Sequence, residues 1–254
     1  MISLPSDLLN DDNHQDPISL PPSIAEIPET SSPHYTLYRL VRHLKPKSVL
    51  EIGTQSGCSA LTMSLAQRDN QDEVDILCID PFYPCGDNNG LETLSEWHRL
   101  IRGGGMHGVN LALTTSELFI PLINKKFDLI FVDGSHDYEN VKVDCLLSLR
   151  SLKKGGYVVA HDTSIYDGVK RAVVEVISDF NLPWYENKIQ RNYRGELCGW
   201  IIFQSTSTID REKLDSAIEA ALHDVNSKLL PVVCEEGQVQ SCPPKSLWKK
   251  ILPW

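Results

Sequence analysis

Short apolar runs alternate with longer segments of helical period through the middle of this chain of 254 residues. The helical segments, such as 59–67 and 138–152, carry apolar residues every three or four positions. Strands that alternate with helices pair in parallel through right-handed crossovers, which place helices on both faces of the sheet. The pattern therefore predicts an α/β fold with a doubly wound, mostly parallel sheet. The five predicted central strands are 48–52, 74–80, 110–114, 127–133 and 157–161.

The alternation changes near residue 183. Segments 184–191 and 199–204 read as strands joined by a turn-like sequence, which predicts an antiparallel hairpin at the edge of the sheet. These two strands and the five central ones make a seven-stranded sheet. A last amphipathic helix follows and places Leu214 and Ile218 on one face.

The two ends of the chain differ from the middle. Residues 1–33 are rich in Pro, Asp, Asn and Ser and have no strand or helix period, which predicts an irregular N-terminal arm. Residues 231–254 hold four prolines and are expected to form a C-terminal tail. A single domain over residues 34–230 lies between them, because no break in that range marks a second domain.

The composition excludes several classes of partner. Acidic residues outnumber basic ones by 34 to 24, which gives a net charge of −10, and no run of Lys or Arg exceeds two residues. Nucleic-acid binders normally show a clustered basic surface, so nucleic acid is not expected as a partner. No apolar stretch approaches the roughly 20 residues of a membrane span, and the N-terminus lacks the order of a secretion signal. Seven cysteines without a CxxC pair fit free thiols, so we expect a soluble cytoplasmic protein.

Polar residues follow each of the five central strands. The carboxyl ends of parallel strands meet at one edge of a sheet, where open α/β sheets bind their ligands, so these residues predict a binding site. The alternative is that they serve only as turn residues. The groups concerned are the turn 53–57, Asp80, the pair Ser116 and Glu117, Asp133, and the pair His161 and Asp162.

The first turn spaces Gly53 and Gly57 as GxxxG. This spacing is not the GxGxxG of dinucleotide-binding folds, and no GK[ST] follows, so the turn supports neither an NAD-linked oxidoreductase nor a nucleotide P-loop. Asp80 closes the second strand, where an acid can accept both hydroxyls of an adenosine ribose.

Two carboxylates and a histidine suggest the chemistry of the site. Asp133 and Asp162 close strands that are predicted to be neighbours about 4.8 Å apart, so their charges would repel unless a hard cation such as Mg²⁺ joined them. Histidine titrates near neutrality in general, which suits His136 to accept a proton from a substrate hydroxyl. His161 would either ligate the metal or pack beneath Asp162. The alternatives are that Asp133 caps a turn and that His136 is a hydrogen-bonded loop residue.

Five segments, in this order, resemble the class I S-adenosylmethionine-dependent methyltransferases: EIGTQSGCS, CIDPF, LTTSELF, FDLIFVDGSHDY and LKKGGYVVAHDT. Within that class the chain is similar to the small O-methyltransferases related to catechol O-methyltransferase, and closer to the bacterial group with the pattern DGxHxY…GGxxxxHD. The likeness covers about residues 35–204. It implies a Rossmann-like fold, a cofactor-binding methyltransferase domain over 34–230, and S-adenosylmethionine as methyl donor.

The resemblance implies a role for each matching residue. The ribose-binding acid would be Asp80, and adenine would contact Ser116, next to Glu117. The metal-binding acids at the ends of the fourth and fifth strands would be Asp133 and Asp162, with Asp133 also beside the cofactor. The methionine part of the cofactor would lie along Gly53 and Gly57, near Glu51, Thr54 and Ser59.

The chain departs from the catechol enzymes at two positions. Thr163, a weaker ligand, stands where they carry a metal-binding Asn, and His136 stands where they carry a catalytic Lys. Six other histidines, His34 among them, are expected to have no chemical role. The segment 81–109 is predicted to form a mobile lid or a wall of the substrate site, and the alternative is an ordinary helix with a glycine-rich exit.

The leading hypothesis is O-methylation of a small hydroxylated molecule, such as a sugar or a secondary metabolite, assisted by Mg²⁺ or another divalent cation. His136 and Asp133 would be the catalytic residues, and Asp133, His161 and Asp162 the metal ligands. A metal-independent N-methyltransferase and a non-catalytic cofactor-binding partner protein remain the alternatives. A homodimer is the candidate assembly.

Overall fold

A computed structural model of the chain describes residues 33–84, 88–187, 198–205 and 209–229. The predicted N-terminal arm before residue 33, the turn of the predicted hairpin and the predicted C-terminal tail lie outside the described residues. None of the helices in the described ranges is both long enough and apolar enough to cross a membrane.

Among the described residues, seven strands form one sheet: β1 (Val49–Ile52), β2 (Ile76–Ile79), β3 (Val109–Ala112), β4 (Phe127–Val132), β5 (Leu152–His161), β6 (Trp184–Asn187) and β7 (Trp200–Gln204). Their order across the sheet is β3-β2-β1-β4-β5-β7-β6. The first five strands pair in parallel, whereas β7 pairs antiparallel with both β5 and β6. The predicted Rossmann-like sheet with an antiparallel edge hairpin is confirmed.

Helices connect the strands and cover both faces of the sheet. The α-helices described are α1 (Pro33–Leu44), α2 (Cys58–Asp69), α3 (Leu91–Ile101), α4 (Ser116–Phe119), α5 (Tyr138–Ser151), α6 (Asp167–Asp179) and α7 (Arg211–Leu229). A short 3₁₀ turn over Ile120–Leu122 follows α4.

The alternation of side chains along each strand divides the core into two layers. In β4, Leu129 and Phe131 pack in the layer of α1, α2 and α3, whereas Ile130 and Val132 pack in the layer of α5, α6 and α7. All four side chains are buried. This burial on both faces explains why the central strands read as continuous apolar runs rather than as an apolar–polar alternation.

The start of β5 corrects one predicted boundary. The sequence predicts a helix to residue 152, stopped by Gly155 and Gly156, with the strand beginning at 157. Instead β5 begins at Leu152, which pairs with Phe127 before the register shifts. Gly155, with a φ of 77°, accommodates this irregularity, and the backbone continues the sheet by bonding to Ser205 at 3.2 Å. The other predicted strand boundaries in the described residues agree within two positions, apart from residues 188–191, which lie outside them.

The segment 81–109 contains α3. Trp97 and Ile101 of this helix are completely buried in the layer of α1 and α2. The glycine-rich exit follows at Gly103, Gly104 and Gly105, the last with a φ of 72°. The central part of the segment is therefore a packed helix, and its role as a lid or substrate wall stays a prediction.

Candidate functional site

The predicted site residues gather at the carboxyl edge of the parallel strands. From β1 the sheet extends in one direction through β2 and β3. The later strands β4 and β5 lie in the opposite direction from β1. The order of strands thus reverses between β1 and β4, and this switch point is where open α/β sheets form their ligand crevice. The turn after β1 lies at that point.

Close packing of the chain requires glycine at both ends of this turn. Gly53 has a φ of 83°, and a Cβ there would lie 2.3 Å from the carbonyl oxygen of Asp133. Gly57 has a φ of 89° just before α2, and a Cβ there would lie 2.8 Å from Cδ1 of Trp97. The first glycine lets the turn touch the end of β4, and the second lets it touch α3.

Asp80 ties the same turn to the end of β2. Its Oδ2 accepts backbone N–H bonds from Thr54 at 3.1 Å and Gln55 at 2.9 Å, and its Oδ1 accepts one from Phe82 at 2.7 Å. A carboxylate offers about four acceptor positions, so about one remains for a ligand. Ribose binding by Asp80 therefore stays a prediction, and its present role is to hold the glycine turn in place.

Glu51 lies inside β1 with its carboxyl group completely buried. Burial raises the pKa of Glu51 to about 7, although the nearby hydroxyls of Ser59 and Thr54 lower it. Neither carboxylate oxygen has a hydrogen bond of ordinary geometry within the described residues. Buried acceptors without partners are costly, so this group suits a position beside a ligand that donates to it.

The ends of β4 and β5 bring two carboxylates together around one imidazole. Nδ1 of His161 lies 3.1 Å from Oδ1 of Asp133 and 3.1 Å from Oδ1 of Asp162. Burial lowers the pKa of His161, but the charges of Asp133 and Asp162 outweigh it and hold that pKa well above the usual range. When protonated, His161 neutralises part of the charge of the acid pair.

His136 approaches the same acid pair from the loop after β4. Its Nε2 lies 3.2 Å from Oδ2 of Asp162, and its ring stacks on Tyr166 with 4.1 Å between ring centroids. Burial raises the pKa of Asp162, but the bond to His136 and the charge of His161 lower it below its ordinary value. Asp162 itself adopts a φ of 60°, a strained conformation that is common at functional sites.

Two overlapping sets of side chains could hold a metal ion. Donor atoms of Asp133, His136 and Asp162 lie within 4.8 Å of one another, and so do those of His161, Asp162 and Cys198. Next to them the hydroxyl of Thr163 is buried and has no hydrogen-bond partner among the described residues.

The sequence of residues 50–163 matches a protein family described as a methyltransferase domain. Over those residues the chain is similar to a methyltransferase domain. This match agrees with the predicted class, the S-adenosylmethionine-dependent methyltransferases. An uncharacterized protein of Acanthamoeba polyphaga mimivirus is 27% identical over 146 residues, which is 54% of this chain and 62% of that protein. The chain therefore spans less than two thirds of the length of that relative.

Solved structures of methyltransferases share the fold of this chain. The O-methyltransferase from Bacillus cereus, in complex with S-adenosylhomocysteine, is 14% identical with a TM-score of 0.56 and covers 72% of this chain and 86% of its own. The O-methyltransferase TomG from Streptomyces achromogenes, involved in tomaymycin synthesis and solved with S-adenosylmethionine, is 15% identical with a TM-score of 0.56. That alignment covers 68% of this chain and 79% of TomG. At such identities the likeness concerns the fold alone.

Three residues to which the sequence assigned no chemical role lie at or beside the site. Trp97 packs against the glycine turn, and Asp144 of α5 bonds to Ser116. His34, at the start of α1, is close enough to His161 and Asp133 for their charges to act on it, and burial together with His161 lowers its pKa. The expectation that His34 has no chemical role stays a prediction, although the residue lies beside the site. Asp144 had one detectable signal, because it is an acid within the apolar run of a helix.

Proposed function

We propose that the domain transfers a methyl group from S-adenosylmethionine to a hydroxyl of a small molecule, such as a sugar or a secondary metabolite, with a divalent cation at the acid pair. One observation carries the proposal: Asp133 and Asp162 converge beside His136 at the same sheet edge as the glycine turn. Donor binding and proton removal would therefore occur at neighbouring strand ends.

The cofactor part of the proposal rests on the turn after β1. Gly53 and Gly57 keep this turn close to neighbouring segments, and Asp80 fixes its backbone. The similar enzymes from Bacillus cereus and Streptomyces achromogenes bind S-adenosylhomocysteine and S-adenosylmethionine, which supports the same ligand here. Glu51, with its unpartnered oxygens, could accept from the amino group of the methionine part.

The donor set at the acid pair fits a divalent cation. Asp133 and Asp162 would supply carboxylate oxygens, which Mg²⁺ prefers, and the unpartnered Thr163 hydroxyl is a further oxygen nearby. The carboxylates of Asp133 and Asp162 would also suit Mn²⁺, and we assign His136 of the same 4.8 Å group to proton transfer. When bound, such a cation lowers the pKa of a coordinated hydroxyl.

His136 is the group that we propose accepts the substrate proton. If Nε2 donates to Asp162, Nδ1 is left with a free lone pair, and the side chain is 39% exposed. Asp162 would stabilise the imidazolium that forms, and the stack on Tyr166 holds the plane of the ring. The substrate oxygen then bonds to the methyl carbon as the carbon–sulfur bond breaks, and S-adenosylhomocysteine leaves as a neutral thioether.

A metal-independent transferase is the second candidate, and a specific contact favours it. The imidazolium of His161 already lies 3.1 Å from both carboxylates and offsets part of their repulsion. In that case Asp162 would serve only to orient His136.

The test combines turnover and metal binding. The full chain is incubated with S-adenosylmethionine and a panel of phenols and sugars, with S-adenosylhomocysteine as readout, before and after treatment with EDTA. Loss of turnover with EDTA and recovery with Mg²⁺ or Mn²⁺ supports the metal-assisted reaction. Turnover that is indifferent to EDTA supports the second candidate. Calorimetric titration with Mn²⁺ alone should give binding that Asp162→Asn weakens, and equal binding by that variant contradicts the proposed ligand set.

A further inference from the structure

Asp144 is a buried acid in the middle of α5 that methyl transfer does not use. Its neighbours in sequence, Val143 and Cys145, belong to the apolar core. Asp144 itself is only 5% exposed. Burial raises the pKa of Asp144 to about 7, the charge of Glu117 raises it further and the hydroxyl of Ser116 lowers it. A buried acid costs stability unless a partner compensates it, so its partner is informative.

That partner is Ser116, the first residue of α4. The hydroxyl of Ser116 donates a hydrogen bond to Oδ1 of Asp144, while Oε2 of Glu117 lies 3.5 Å from the same hydroxyl. Oδ1 can accept this bond whether the carboxyl group is neutral or ionised. A serine hydroxyl has one hydrogen to donate and two lone pairs. With its hydrogen committed to Asp144, Ser116 can only accept from a third group.

Gly134, which follows β4, lies beside this pair. A Cβ on Gly134 would lie 3.5 Å from Cγ2 of Ile52 and 3.7 Å from Oδ2 of Asp144, which is ordinary contact. The φ of Gly134 is outside the left-handed region, so neither packing nor backbone conformation demands glycine there. At Gly53, by contrast, both the packing and the backbone conformation demand glycine. Gly134 follows β4 and Ser116 follows β3, so both lie at the carboxyl edge of the parallel strands, where open α/β sheets bind ligands.

We propose that Asp144 is a positioning residue that fixes the polarity of the Ser116 hydroxyl, so that this site accepts the 6-amino group of the cofactor adenine and rejects a 6-oxo purine. A 6-amino group donates to the lone pairs of Ser116. A 6-oxo group presents another acceptor, which leaves buried acceptors facing each other. The inference rests on the proposed function, because it assumes that an adenosyl cofactor occupies the crevice.

The test compares two ligands that differ at that position. S-adenosylhomocysteine and S-inosylhomocysteine, its 6-oxo analogue, are titrated calorimetrically into the full chain. The wild type should bind the amino compound at least about tenfold more tightly, as expected when one ligand leaves a buried polar group unpaired. Asp144→Leu frees the Ser116 hydroxyl to rotate and donate, so the ratio of the two affinities should fall to near one. Asp144→Asn keeps an acceptor oxygen and should retain most of the ratio.

Two controls separate positioning from general damage. Val143→Ala disturbs the same helix and should not change the ratio, even if it lowers stability. Ser116→Ala removes the acceptor itself, so it should weaken S-adenosylhomocysteine selectively. It carries the test if Asp144→Leu does not fold.

The outcomes distinguish the two proposals. A folded wild type that binds neither ligand contradicts the proposed function. A wild type that binds both equally, or a ratio that survives Asp144→Leu, overturns the role of Asp144 and leaves the proposed function intact. If Asp144→Leu does not fold, a ratio that survives Ser116→Ala overturns it in the same way.

Discussion

The indole N–H of Trp97 donates a hydrogen bond to the hydroxyl of Thr54 at 3.2 Å, with both side chains buried. This bond joins α3 to the glycine turn after β1. The same indole is the group that a side chain at Gly57 would strike. Helix α3 therefore packs against the turn that we assign to the cofactor and supports it.

Replacing Trp97 with Phe should separate the hydrogen bond from the packing. Trp97→Phe keeps an aromatic ring but loses the bond to Thr54, which should cost about 1 kcal/mol of stability and weaken S-adenosylhomocysteine binding several-fold. Thermal unfolding and calorimetry measure the two effects. Trp184→Phe, at a position 38% exposed on an edge strand, is the matched control. Unchanged S-adenosylhomocysteine affinity in Trp97→Phe would refute the role of α3 in supporting the cofactor turn.

Alanine substitutions at Gly53 and Gly105 should lower stability by different amounts, although both residues have positive φ. Gly105→Ala meets nothing within 4 Å and should cost only the backbone strain, about 1–2 kcal/mol. Gly53→Ala adds a contact of 2.3 Å with the carbonyl of Asp133, so it should destabilise the chain further and displace the loop that holds the acid pair. Urea unfolding of both variants makes the comparison. Equal losses would mean that the turn after β1 can relax away from β4.

The sequence predicts the fold well, because each central strand is apolar on both faces and is followed by a polar group. Those two signals locate the strands and the edge that they share. The start of β5 was misplaced because Gly155 and Gly156 look like a helix stop, whereas they form an irregularity within a strand. Only the long-range pairing with β4 and β7 makes that strand continuous.

The sequence predicts which residues form the candidate site, but it does not predict which of their atoms contact one another. Asp133, His136, His161 and Asp162 were all expected near one another, and they are. The sequence could not reveal that His161 lies between the carboxylates, because only the spacing of β4 and β5 decides it. Asp144 was missed for a related reason, since its partner Ser116 lies 28 positions away.

Asp144→Asn should alter the dependence of stability on pH. The pKa of Asp144 is raised from 3.8 to about 7, so the folded state keeps a proton that the unfolded state has lost between these values. Its contribution to stability is present below about pH 4 and is lost as the pH rises toward 7. The variant lacks this loss, so its stability relative to wild type should rise by a few kcal/mol across that window.

Urea unfolding at several pH values between 4 and 8 measures this difference. Glu51, whose pKa is also raised to about 7, should leave a residual slope in the variant. A difference between variant and wild type that is constant with pH would contradict the assigned burial of Asp144.

His136→Gln should lower turnover without weakening cofactor binding. Loss of a general base typically reduces kcat by about 10²–10⁴-fold, while S-adenosylhomocysteine affinity should stay within about twofold. The comparison variant is His223→Gln, because the side chain of His223 is 82% exposed on α7. Turnover in His136→Gln equal to wild type, on an acceptor that the wild type methylates, would remove His136 from the reaction.

The most direct measurement is a calorimetric titration of S-adenosylhomocysteine into the full chain and into Asp80→Asn. The account predicts one binding site in the wild type and affinity at least about tenfold weaker in Asp80→Asn, since that residue fixes the backbone of Thr54 and Gln55. Asp75→Asn, at a surface ion pair with Lys125, should bind as the wild type does. A folded wild type that takes up no S-adenosylhomocysteine would contradict the assignment of the whole sheet edge as a methyl-donor site.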